Sequence, residues 1–191
     1  MEWSAVGLVR VPGTAPAGAT PQARVRTVPG PEPRLIIHTP DGREVANLAP
    51  GEWSTYVPLH FSSEEGWVRF FLVHLSERGD SLQLFHTMVT RSEGWAKPAA
   101  CAPVLLREIG PYQQGLETDG QLEANGWFGA HALEADIELL ASSGNTLMAY
   151  AEHLCAAMPD WSYLYVQLHS TDGLNHRRLG HLDPCHPCTT P

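Results

Sequence analysis

At 191 residues the chain is long enough to bury one sizeable core. Its net charge of −9 argues against nucleic acid as a partner, because phosphate binding needs a basic face. No apolar run approaches the roughly 18–20 residues that span a bilayer. The first residues, MEWSAVGLVRVPG, lack the apolar centre of a secretory signal, so a cytoplasmic protein with reduced thiols is expected.

Residues 12–33 are rich in Pro, Gly and Ala, and neither a helical nor a strand period survives there. They read as a loop or linker, making 1–33 an N-terminal segment ahead of a single domain over 34–191. RLIIH (34–38) reads as a short strand and TPDGRE as a turn. EWSTYVPLHF alternates, GWVRFFLVHLS is a strong strand signal, ERGD is a turn and SLQLFHTMVT its partner strand. Together they predict an antiparallel hairpin plus one more strand, within a β-rich region over 34–91. Residues 92–107 read as mostly loop, with Pro98 and Pro103 as breaks.

The glycine-punctuated stretch 109–129 reads as a rim, where Glu117 and Asp119 are candidate acid–base groups; solvated loop carboxylates are the alternative. AHALEADIELLASSG predicts an amphipathic helix ending at Gly144, and NTLMAYAEHLCAAM a second helix capped by Asn145 or Thr146. SYLYVQLHS is a nearly continuous apolar run, as in a strand covered on both faces. A helix from Thr171 or Asp172 would follow, giving a helix–helix–strand–helix order over 109–187. The fold class expected is α+β, or a reduced α/β fold with helices packed on a short sheet.

Ligands of such folds gather beyond the carboxyl ends of the strands. Asp172 stands there, and His176 follows four residues later. On a helical turn the two project to one side and could grip a metal ion. A carboxylate and an imidazole suit zinc, manganese or iron. Asp172 as a helix cap with His176 on the surface is the alternative reading. His181, Asp183, Cys185, His186 and Cys188 follow, of which His181 and His186 are further candidate ligands. Cys185 and Cys188 have C-x-x-C spacing without a second pair. Ser170 and Thr171, beside Asp172, are the hydroxyls available as nucleophiles. His74 and His86 lie in strand-like runs and read as packing residues.

YLYVQLHSTDGLNHRRLGHLDPCHP resembles a segment of the alkaline phosphatase superfamily found in type I phosphodiesterases and nucleotide pyrophosphatases. GEWSTYVPLHF…GWVRFFLVHL…LQLFHTMV resembles the strand-rich insertion of a bacterial branch, and IGPYQQGLETDGQLEANG its glycine-rich segment. The resemblance spans roughly residues 50–187. It implies that Asp172 and His176 are metal ligands and that the chain carries a partial alkaline-phosphatase-like core with an antiparallel β-rich insertion. No match is visible to the family's nucleophile segment, where Asp41 in PDGRE stands only in turn context, nor to its later Asp-His ligands. The expected function is that of a truncated phosphodiesterase-like protein acting on a small molecule, by metal-assisted phosphoester hydrolysis or a repurposed reaction in secondary metabolism. A non-catalytic binding protein, or one piece of a split enzyme, is the alternative. A homodimer or a partner protein would cover the strand edges left bare.

Overall fold

The computed structural model describes residues 6–10, 22–60, 65–87, 89–112, 132–158 and 162–168. Among these residues nine strands come first: β1 (Val6–Arg10), β2 (Gln22–Val28), β3 (Arg34–His38), β4 (Glu44–Leu48), β5 (Val57–His60), β6 (Glu65–Val68), β7 (Phe70–Leu75), β8 (Leu82–His86) and β9 (Thr90–Arg91). Among the described residues two helices follow, α1 (Cys101–Glu108) and α2 (Ala132–Ala157). The class is α+β, with antiparallel pairing throughout the described strands.

Strands β1 to β4 form one meander in chain order. Strand β2 lies within the stretch expected to be loop. Its sequence, QARVRTV, alternates, and Ala23 and Val25 are buried on the inner face while Arg24 is exposed. Pro, Gly and Ala on the N-terminal side hid a five-position pairing with β3, Arg24 opposite His38 through Val28 opposite Arg34.

The second layer is built from three passes of the chain. Strand β5 pairs with β6 and β6 with β9, while β7 pairs with β8. Strands β6 and β7 are one run of sequence interrupted at Arg69, and hydroxyl side chains patch the ladder there. Arg69 N–H donates to Thr87 Oγ1 at 2.8 Å, and Thr87 N–H donates to the Arg69 carbonyl at 2.9 Å. On the other side Phe70 N–H donates to Ser54 Oγ at 2.9 Å, and Ser54 N–H to the Phe70 carbonyl at 2.8 Å. The expected hairpin and its neighbouring strand are thus present, with ERGD as the turn.

The two layers pack face to face. Ala23, Val25, Leu35, Ile37 and Leu48 of the first meet Val57, Leu59, Val68, Phe70, Leu72 and Leu75 of the second. Alternation along β7 sends Phe71 and Val73 the other way, into a smaller cluster with Trp53, Ala135 and Leu139. Strand β7 is therefore buried on both faces, which is why GWVRFFLVHL reads as a continuous apolar run rather than an alternating one.

The β7–β8 turn also ties the layers together. Gly79 has φ +72°, which favours glycine. A Cβ there would lie 2.9 Å from Thr27 Oγ1, so glycine permits the turn to sit against β2. Gly30 N–H, donating to the Glu77 carbonyl at 2.8 Å, fixes the same approach.

The helices differ from expectation in two respects. Residues 101–108, expected to be loop, are helical because Pro103 sits in the first turn, where its missing N–H has no intrahelical acceptor to lose. The two helices expected to divide at Gly144 are one helix of 26 residues. Ala135, Leu139, Leu140, Ser143, Tyr150 and Ala151 form a buried stripe that keeps the helical period through Gly144. Tertiary burial along that stripe outweighs the roughly 1 kcal/mol penalty of an interior glycine. Thr146, expected as a cap, instead bonds back to the Ser142 carbonyl at 2.9 Å.

Candidate functional site

The residues that carry the expected chemistry lie outside the described residues: Asp172, His176, His181, Asp183, Cys185, His186, Cys188, Ser170 and Thr171, together with Glu117 and Asp119. The described approach to them is residues 162–168. That segment was expected to be a strand covered on both faces. It belongs to no strand, and Tyr163, Tyr165 and Leu168 are 76%, 67% and 42% exposed. The apolar pattern in YLYVQL signals a need for cover that the described residues do not supply.

Other candidates are placed. Asp41 sits in the β3–β4 turn, where Thr39 donates its hydroxyl hydrogen bond to the carboxylate. That bond holds the Asp41 carboxyl below its ordinary pKa, as befits a turn-closing group. His86 packs as expected, stacked on Phe85 at 6.3 Å and edge-on to Phe70. His74 instead points outward and is exposed. Cys101 and Cys155 are free thiols. Among the described residues, no three His, Cys, Asp or Glu side chains gather as a metal site.

The described residues bring together a different constellation, centred on Arg69. Its side chain is buried at the sheet break, at 8% exposure. Nε donates to the Ser54 carbonyl at 2.9 Å, and Nη2 donates to Glu138 Oε1 on α2 at 2.7 Å. The guanidinium lies 5.0 Å from the Trp53 ring centre and 5.9 Å from that of Tyr56. Trp53 in turn donates its indole N–H to the Ala135 carbonyl at 3.2 Å. Sheet and helix are thus held by one cation with its donors directed at named acceptors. The signal was present in the sequence: an arginine inside WVRFFLV must find partners when its neighbours are buried.

Beside the arginine lies an aromatic group. Trp95 stacks on Tyr150 at 5.6 Å, and Tyr112 lies 6.2 Å from Tyr150. Tyr150 donates its hydroxyl to the Gly110 carbonyl, closing α2 over the end of α1. Thr90 Oγ1 donates to the Tyr112 carbonyl at 2.7 Å, tying the same loop to β9. Burial pushes the Tyr56 phenol up to about 12, against the opposing pull of Arg69. Burial first, and then the neighbouring phenols Tyr56 and Tyr112, push Tyr150 up as well. Both phenols are neutral at physiological pH, and that of Tyr150 serves as a hydrogen-bond donor. With Arg69 committed to Glu138, Ser54 and two rings, the cluster works as a clamp between layers.

Two antiparallel layers closed on one side by a long clamped helix define a mixed α+β protein. Comparison with protein-family models, with curated proteins and with solved structures finds no match. No helix among the described residues is long and apolar enough to cross a membrane.

Proposed function

We propose that the chain is a phosphodiesterase-like hydrolase of the alkaline phosphatase type, working on a small molecule by metal-assisted phosphoester cleavage or by a reaction derived from it. In this reading the β layers are the accessory insertion. The segment after α2 is then a strand of a partial alkaline-phosphatase-like core, delivering Asp172 and His176 to a zinc, manganese or iron ion. The ordered run of resembling segments supports it. One structural observation carries it: Tyr163–Leu168, which follows α2 in the sequence, is an apolar run with three large side chains exposed, a few residues ahead of Asp172. Such a run gains most by entering a parallel sheet, and the carboxyl end of a sheet strand is where ligands bind. The metal would polarise the phosphoryl oxygens, and Glu117 or Asp119 would move the proton.

Hydrolysis of bis(4-nitrophenyl) phosphate, with zinc or manganese supplied, tests the reading. Turnover is expected, and Asp172→Ala and His176→Ala should each lower it by about 100-fold. Turnover absent from the unmodified protein, or undiminished in both variants, defeats it. The second reading, a binding protein or one piece of a split enzyme, would then stand. The exposed Tyr163, Tyr165 and Leu168, with Ile137 and Met148 on α2, favour it as a surface for a second copy or a partner protein.

A further inference from the structure

On a surface helix the face opposite the buried stripe is normally charged or polar. Helix α2 departs from this rule. From Leu139 to Ala151 its sequence, LLASSGNTLMAYA, carries no charged side chain. Glu138, just before that stretch, is held by Arg69 at 2.7 Å. At about 100° per residue, Ile137, Ala141, Gly144 and Met148 fall within an arc of about 60°, turned about 130° from the centre of the buried stripe. Ile137 and Met148 are 45% and 41% exposed, Ala141 is exposed and Gly144 is half-buried.

The spacing along that arc is four, three and four residues, and the order of sizes is large, small, small, large. It reads the same in either direction. Two such arcs set antiparallel, about a two-fold axis between Ser142 and Ser143, bring Ile137 against Met148 of the partner subunit and Ala141 against Gly144 of the partner subunit. Small residues at the centre let the helices approach, and the large ones close the ends of the contact. We propose that α2 pairs in this way with α2 of a second copy of the chain. The occupant follows from that symmetry and from charge. Two chains of net −9 repel each other, and this uncharged stretch lets them touch without setting carboxylates together. A partner with a basic face finds no acidic side chain along the arc to meet it. One helix face per copy is a small interface, so self-association is weak and concentration-dependent. It is independent of Asp172 and His176, so loss of pairing and loss of turnover are separate results.

Sedimentation velocity over a concentration series tests the pairing. The unmodified protein should shift from monomer to dimer as concentration rises. Ile137→Glu should weaken association about tenfold or more, since a two-fold interface feels each substitution twice and desolvates a carboxylate each time. Adding Met148→Lys to Ile137→Glu should recover part of the loss, because antiparallel pairing sets position 137 against position 148. Tyr163→Glu, at a side chain 76% exposed, should leave association unchanged. Circular dichroism checks folding, and Met148→Glu decides if Ile137→Glu is misfolded. The proposal is overturned by a monomer at every concentration, by undiminished association in Ile137→Glu, by no recovery in the double variant, or by loss of association in Tyr163→Glu.

Discussion

Replacing Phe71 by alanine is expected to cost about 3–5 kcal/mol of folding stability. Its ring is 1% exposed and lies 5.0 Å from that of Trp53, in the cluster that seats Ala135 and Leu139 of α2 against the sheet. Truncation leaves a cavity between two rigid elements, β7 and α2, neither of which can move in to fill it without breaking ladder or helix hydrogen bonds. Urea denaturation followed by tryptophan fluorescence reads the loss as a lower midpoint. Leu82→Ala, at a side chain 39% exposed, is the control and should cost below about 1 kcal/mol. A Phe71→Ala midpoint close to that of the control would mean that α2 does not rest on β7.

Arg69→Ala is expected to cost about 2–4 kcal/mol. The substitution strands the Ser54 carbonyl, removes a cation from the faces of Trp53 and Tyr56, and frees Glu138. The Glu138 side chain is 54% exposed, so the ion pair itself is a small part of the loss. Glu138→Gln should therefore cost less than about 1 kcal/mol. The two variants compared by the same denaturation separate a buried guanidinium clamp from a surface ion pair. Equal losses would assign the effect to the ion pair and contradict the clamp.

Much of the β layering was legible because local signals agreed. RLIIH, the TPDGRE turn, the ERGD turn and the two runs flanking it all form as their composition directs. What was missed depends on partners distant in sequence. Strand β2 exists because β3 pairs along its length, and the Pro- and Gly-rich residues before it masked the RVRTV alternation. Gly144 would end an isolated helix, yet the stripe from Ala135 to Ala151 is buried and carries the helix past it. Pro103 breaks a helix in its interior but is compatible with a first turn, and sequence alone does not say where the helix starts.

The candidate site was less legible. The Arg69 clamp was overlooked because a single charge in an apolar run does not say where its acceptors are. Glu138 is 69 residues away and comes close only once α2 docks. In contrast, YLYVQL was given a sheet from its composition alone, and Tyr163 and Tyr165 are exposed instead. A β-forming run specifies that it needs cover, but not which strands supply it.

Metal analysis reads the proposed site at Asp172 and His176 without relying on any substrate. The purified protein, loaded with zinc or manganese and then dialysed, should hold about one ion per chain, while Asp172→Ala combined with His176→Ala should hold none above background. Equal metal content in the two proteins, or none in the unmodified one, would contradict the account.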